Sequence, residues 1–276
     1  MKEIIIAAAQ FRAEPGNGKY NLKMAEQLTA QAAEKHADLI LFPEAALSGY
    51  SSEDPYLAAI DGDREIKSLK ALSLSTGMVI SIGMIRRAGA CGCGTEASQS
   101  KLPAIEQYIF HEGSAFRYRK IHLGSIETGK FLPGDEIEAV RTEAGVLGVN
   151  LCWESHIPDI STILRRQGME ILLCPYASGM TGERCRDNWR IHLPARASDN
   201  GVYLVAANLI MKDGKGGGMA IFGPDGKVIA EKYTKERGLI TAAASVPLPR
   251  EVKTTGMKGI SYFDRRIESV YDKYRP

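Results

Sequence analysis

Short apolar runs, each followed by a helix-length stretch of mixed polarity, set the rhythm of the N-terminal third of the chain. Residues 4–10 are β-branched and alanine-rich with no polar alternation, as in a strand covered on both faces. Residues 21–36 then read as a helix, with Leu22, Ala25, Ala32 and Ala33 among its apolar positions and Asn17 or Asn21 near its start. A second strand, 39–42, is closed by Pro43, which cannot donate to a ladder. Residues 64–75 read as helix and 78–85 as strand. A β-α-β-α-β order of this kind predicts an α/β fold.

The middle of the chain changes character. Residues 87–103 are rich in Gly, Ser, Ala and Cys and read as an exposed loop. Runs 104–110 and 115–120 flank the turn-forming His111-Glu112-Gly113-Ser114, which predicts a β-hairpin. Strand 146–152, helix 158–167 and strand 171–174, ended by Pro175, restore the α/β rhythm. A helix over 189–198 follows, then strands 202–208 and 218–222, with Gly223-Pro224-Asp225-Gly226 turning the chain into 227–231. No linker divides the chain, so one domain over 1–276 is expected.

Composition narrows the function classes. The 276 residues are 44% hydrophobic and 25% charged, as in an ordinary soluble globular protein. No apolar run approaches the ~20 residues that span a bilayer. The net charge of +2 creates no field that would gather nucleic acid. Met1-Lys2-Glu3 carries an acid and precedes too short an apolar core for a secretory signal. Five cysteines, an odd number, do not form a complete disulfide framework, so the cytoplasm is the expected compartment.

Several common signatures are missing: no Gly-x-Ser-x-Gly elbow, no phosphate loop and no His-Glu-x-x-His zinc helix occurs. Cys91-Gly-Cys93 is spaced too closely for a zinc knuckle, and a weak redox role in a loop is the other reading of that pair. What remains is Gly148-Val149-Asn150-Leu151-Cys152-Trp153-Glu154, a cysteine at the end of an apolar run with a helical segment soon after. A nucleophile at such a turn gains exposure, and nearby backbone N–H groups can hold an oxyanion. A buried core cysteine is the alternative, and Cys174, beside a similar strand end, illustrates it. The base is open between His156 and a carboxylate such as Glu44, which follows the run 39–43. Lys120 ends the hairpin, so three strand ends carry Glu, Lys and Cys, and strand ends are where sites form in α/β sheets.

At these residues the chain resembles the nitrilase superfamily of carbon–nitrogen hydrolases. Leu41-Phe42-Pro43-Glu44-Ala45-Ala46-Leu47-Ser48-Gly49-Tyr50 is similar to the motif whose Glu is the general base. Tyr118-Arg119-Lys120-Ile121-His122-Leu123 is similar to the motif whose Lys stabilises the tetrahedral intermediate. The Cys152 segment, with Pro158 after it, resembles the motif of the nucleophile. Glu127 before Pro133-Gly134 stands where the family has a further glutamate, and Arg196-Ala197, Asn200, Val205–Asn208 and Arg265-Arg266 with Tyr271 extend the likeness across nearly the whole chain.

The resemblance implies a four-layer α-β-β-α sandwich and a Glu44, Lys120, Cys152 constellation aided by Glu127. It implies hydrolysis of a small amide or N-carbamoyl amine through a Cys152 acyl-enzyme, with the backbone N–H of Trp153 beside Lys120 at the oxyanion. A nitrilase, an acyltransferase using the same acyl-enzyme, or a silent binding member are the alternatives. No metal or organic cofactor is called for. A homodimer or larger homo-oligomer is implied, built through 158–167 and the region 189–198.

Tyr50, Trp153, His156 and Tyr176 are the expected pocket walls. His156 occupies the place where many amidase relatives carry a carboxylate-binding Arg, so that clamp is absent and Arg184, Arg186 or Arg190 would have to replace it. Glu154 would either attract a cationic group of the substrate or, the favoured reading, pair internally with an Arg. Glu44 as a helix cap, Lys120 as a solvated hairpin end and Glu127 as a loop charge are the plain readings against which these roles stand.

Overall fold

The structure is a computed structural model that describes residues 2–51, 53–87, 101–246, 262–271 and 274. The N-terminal half runs β1 (Lys2–Gln10), α1 (Gly18–Glu34), β2 (Leu39–Leu41), α2 (Pro55–Ala58), α3 (Asp63–Thr76), β3 (Val79–Arg86), β4 (Ala104–His111) and β5 (Ser114–Arg119). The C-terminal half runs β6 (Val140–Thr142), β7 (Gly145–Val149), a 3-10 turn (Cys152–His156), α4 (Pro158–Arg166), β8 (Ile171–Tyr176) and α5 (Gly182–Asn200). It continues with β9 (Tyr203–Asn208), β10 (Met219–Phe222), β11 (Val228–Lys232), β12 (Gly238–Val246) and a short α6 (Glu268–Tyr271). Most of the expected loop over 87–103, Cys91 and Cys93 included, lies outside the described residues.

Two six-stranded sheets form, ordered β12-β1-β2-β3-β4-β5 and β11-β10-β9-β8-β7-β6. Strands β1, β2 and β3 are parallel, as are β7, β8 and β9, and the outer strands are antiparallel. The period-2 geometry of a strand explains why β1 reads as uninterrupted apolar sequence. Ile4, Ile6 and Ala8 face the other sheet, packing with Leu147, Leu173, Val205 and Ile221. Ala7 and Ala9 face outward under Leu22, Ala25 and Leu28 of α1 and Leu69 of α3. In the second sheet, Leu172, Cys174, Leu204 and Ala206 face Ile160 and Leu164 of α4 and Trp189, Leu193 and Ala197 of α5. Helix, sheet, sheet and helix are thus stacked around three apolar interfaces, the four-layer sandwich expected.

Local chemistry accounts for the boundaries. Asn17 caps α1, its side chain accepting from the Tyr20 N–H at 3.1 Å, while Asn21 is buried in the first turn and donates to the Glu14 and Leu47 carbonyls. Two expectations are corrected. The run 146–152 stops being strand at Val149, and Cys152 opens a 3-10 turn with φ of 51°. Pro175 does not end β8. The Leu173 carbonyl accepts from Asn150 on the β7 side, and Pro175, of the same parity, directs its missing N–H there, past the end of β7. Strand β12, with no counterpart in the sequence reading, pairs with β1 along its whole length. Strand β6 is likewise additional.

The turn that carries Glu44 is packed directly on the backbone of β3. Leu47 N–H donates to the Gly83 carbonyl at 2.9 Å, and Phe42 N–H to that of Ser81 at 2.7 Å. A Cβ on Gly83 would lie 2.6 Å from both the Ala45 nitrogen and Gln107 Oε1, and 3.0 Å from the Glu44 Cα. Ala45 already has a left-handed φ of 56°, so the turn has little room to move. Gly83→Ala is therefore expected to cost about 1–3 kcal/mol in overpacking and to displace Glu44. Thermal unfolding would show the lower Tm, with a fall in activity larger than the loss of folded protein explains.

Candidate active site

The C-terminal ends of β2, β5, β7, β8 and β9 converge on a cavity of about 640 Å³. Glu44 follows β2, Lys120 follows β5, and Cys152 follows β7. The Lys120 Nζ lies 2.9 Å from Glu44 Oε1 and 2.9 Å from both Glu127 carboxylate oxygens. All three side chains are almost fully buried, Lys120 at 1% exposure. The second Glu44 oxygen accepts the Ala177 N–H at 3.0 Å, from the loop after β8. Cys152 lines the same cavity as Lys120, near enough to Glu44 for the charge of each to act on the other. Glu127 also accepts from the Gly124 N–H at 2.7 Å and from the Tyr50 hydroxyl at 2.8 Å.

The electrostatics follow from this packing. Burial pushes the Glu44 carboxyl above its usual range against the opposing pull of Lys120, and the Glu127 charge adds to the upward push. Burial would lower the Lys120 ammonium, but the two glutamates and a charged Cys152 would favour it, and the net direction is upward. The Cys152 thiol is raised well above an ordinary thiol, first by burial and then by the Glu44 charge, with Lys120 opposing. The resting arrangement is thus a neutral thiol beside a carboxylate–ammonium–carboxylate group. Cys152 and Ala45 are two of the four non-glycine residues with positive φ among those described, so backbone strain falls on the turns of both the thiol and the carboxylate.

Glu154 has a role that neither sequence reading anticipated. It is fully buried, with Oε1 accepting the N–H groups of Ile121 at 2.7 Å and His122 at 3.0 Å. Its Oε2 accepts the Leu151 N–H at 2.9 Å and the Tyr118 hydroxyl at 2.8 Å. The expected pairing with an Arg is therefore corrected, and Glu154 does not line the cavity. It clamps the backbone just after Lys120 to the backbone just before Cys152, joining one residue from each sheet. Its carboxyl is raised by burial, against the pull of these four donors.

Of the expected walls, Tyr50 and Trp153 line the cavity and Tyr176 and His156 do not. Tyr176 shares its parity in β8 with Leu172 and Cys174, so its side chain turns toward α5. There its hydroxyl lies 2.6 Å from Ser155 Oγ. His156 stacks on His192 with ring centroids 3.9 Å apart. Arg184, Arg186 and Arg190 are also outside the lining. Arg186 pairs with Asp187 and Arg190 with Glu231. The sequence reading missed the residues of the open side: Glu53 and Ile126, and Met211, Lys212 and Asp213 in the turn after β9. Their signal was only their place beyond a strand end. Elsewhere, His111, Glu112 and Glu143 bring three metal-ligand-type atoms within 4.8 Å, but none of them lines the cavity.

Glu154→Gln presents an amide N–H₂ to donors that need acceptors. Each buried N–H left unmet costs about 1–3 kcal/mol, so a clear drop in Tm and in activity is expected. Tyr118→Phe removes a single hydroxyl and is expected to cost about 1 kcal/mol. Thermal denaturation of the two variants side by side checks the order.

A sequence model of the carbon–nitrogen hydrolase family matches residues 5–254. The chain is similar to a probable nitrilase of Schizosaccharomyces pombe, 27% identical over 97% of each chain. It is also similar to an N-carbamoylputrescine amidase of Arabidopsis thaliana, 28% identical over 87% of this chain and 86% of that one. Its fold is similar to that of a mutant of the amidase from Nesterenkonia sp. AN1, solved with the acetamide moiety of fluoroacetamide added at its active-site cysteine. That match has a TM-score of 0.78 and 21% identity, covering 99% of this chain and 97% of the other. The fold, the strand-end motifs and the match along most of the sequence agree: the chain belongs to the carbon–nitrogen hydrolase family.

Proposed function

We propose that this protein hydrolyses a small amide or N-carbamoyl amine through a Cys152 thioester. The observation that carries this reading is that Cys152 and Lys120 line one cavity, with the Glu44 carboxylate buried beside them, 2.9 Å from the Lys120 Nζ. Glu44 takes the proton from Sγ as the sulfur attacks the carbonyl carbon. The oxygen that gains charge meets the Lys120 ammonium and the Trp153 N–H, donors in place before the reaction. Glu44 then passes its proton to the departing nitrogen, the C–N bond breaks and ammonia or an amine leaves. Water gives a proton to Glu44 and attacks the thioester, the C–S bond breaks to release the acid, and Glu44 returns the proton to Sγ.

Glu127 holds Lys120 in place, and Tyr50 holds Glu127. Trp153, Ile126 and Met211 give the open side of the cavity an apolar surface for the substrate's chain, while Glu53, Lys212 and Asp213 bring charge to the same side. Amidase relatives, N-carbamoylputrescine amidase among them, support an amide-type substrate. Self-association is part of the same reading. Trp153 at 51% and Ile191 at 77% exposure leave large apolar side chains uncovered on the turn after β7 and on α5.

The test is to incubate the wild type and Cys152→Ala with small amides, N-carbamoyl amines, ω-amides and nitriles, following ammonia release and intact-protein mass. Ammonia and an acyl adduct from the wild type only, with Glu44→Gln slowing release at least a hundredfold, is the expected result. Release that survives Cys152→Ala contradicts the proposal, and turnover of nitriles without amides replaces the amidase reading with a nitrilase one.

A further inference from the structure

Behind the nucleophile turn, on the side facing α5, lies a buried polar cluster that the mechanism above leaves unused. Ser155 Oγ lies 2.7 Å from the Cys152 carbonyl oxygen, 2.6 Å from the Tyr176 hydroxyl and 2.9 Å from His192 Nε2. Tyr176 OH is itself 3.2 Å from His192 Nε2, and His192 Nδ1 is 3.1 Å from the Asn188 carbonyl. Ser155 and Tyr176 are buried, and His192 nearly so, yet none of the three lines the cavity.

The Asn188 carbonyl only accepts, so Nδ1 carries the His192 proton and Nε2 is an acceptor. The Tyr176 hydroxyl donates into the Ser155 Oγ and His192 Nε2 pair. The single Ser155 proton is then left for the Cys152 carbonyl. Burial, the stacked His156 and the Arg196 charge hold His192 down at about 4, and the Asn188 carbonyl opposes only in part. The acceptor at Nε2 therefore persists at neutral pH.

The consequence lies in the peptide that joins Cys152 to Trp153. In a planar trans peptide the C=O and the N–H point in opposite directions. A Cys152 carbonyl drawn back toward Ser155 leaves the Trp153 N–H aimed out of the other side, where Cys152 and Trp153 meet the cavity. That N–H has no acceptor among the described residues. The peptide also needs holding, because Cys152 has a left-handed φ of 51°.

We propose that Ser155, kept as a donor by Tyr176 and His192, is a positioning residue that aims the Trp153 N–H at the oxyanion. This rests on the reading of Cys152 as an acylated nucleophile. The two claims separate in an experiment that compares two reagents for the same thiol. Alkylation by iodoacetamide displaces iodide and forms no oxyanion, whereas acylation by p-nitrophenyl acetate passes through one.

For Ser155→Ala, the expected result is acylation slowed about tenfold, part of what loss of a whole oxyanion donor costs. Alkylation should stay within twofold of wild type. On the amide found to be turned over, kcat should fall with KM little changed. Tyr176→Phe should shift the Ser155 proton toward His192 and reproduce the loss in weaker form, whereas Ser155→Thr, which keeps the hydroxyl, should restore acylation.

Acylation and alkylation falling together would overturn the proposal by showing a displaced nucleophile. Unchanged acylation in Ser155→Ala would overturn it by showing that the turn aims the peptide unaided. A wild type that is alkylated at Cys152 but never acylated would remove the nucleophile reading, and the positioning role with it. A wild type that is acylated by the ester but turns over no amide would contradict the amidase reading alone.

Discussion

The buried ammonium of Lys120 is the interaction around which the rest of the site is arranged. An ion of this kind is tolerated in the interior only when paired and fully hydrogen-bonded. Here Glu44 and Glu127 supply the partners, each within 2.9 Å. The three residues leave the first sheet and the loop after it, while Cys152 leaves the second sheet. Removing Lys120 would leave two buried carboxylates facing each other without a counter-charge, so the fold and the chemistry depend on the same contacts. Glu154 serves the same end through backbone groups, tying the strand that delivers Lys120 to the turn that delivers Cys152.

This arrangement determines how the thiol is used. A cysteine activated beside a histidine is held as thiolate. Here burial raises the thiol, and the neighbouring group, a carboxylate, raises it further rather than lowering it. In the proposed reaction the proton remains on sulfur until a substrate arrives, and Glu44 receives it only as the carbon–sulfur bond forms. Lys120 has two uses. It pulls against the burial that raises the Glu44 carboxyl, and in the proposed reaction it offers positive charge to the oxygen when the tetrahedral intermediate forms.

How much of this was legible in the sequence depends on the range of the interaction. The strands with two buried faces, β1 and β2, announce themselves as continuous apolar runs. Glu44, Lys120 and Cys152 stand at strand ends, so a reading of strand ends finds them. Strand β12 was missed because its residues are small and half-buried, and it pairs with β1, more than two hundred residues away in sequence. Pro175 misled because its parity, which makes it harmless in β8, is set by where β7 stops. The roles of Glu154 and the Ala177 N–H are invisible to composition, since each joins a buried carboxylate to backbone N–H groups that the fold brings to it. Tyr176 was assigned to the cavity by proximity to a strand end. Only its position in the β8 alternation shows that it faces the helices.

The central claim is that the thiol is neutral at rest and gives its proton to Glu44 during attack. Thiolate absorbance at 240 nm, measured across pH as wild type minus Cys152→Ala, tests it most directly. No excess absorbance is expected at pH 7, with a rise only on the alkaline side of an ordinary thiol. A thiolate signal already present at pH 7 would contradict it, placing Cys152 in a preformed ion pair with Lys120.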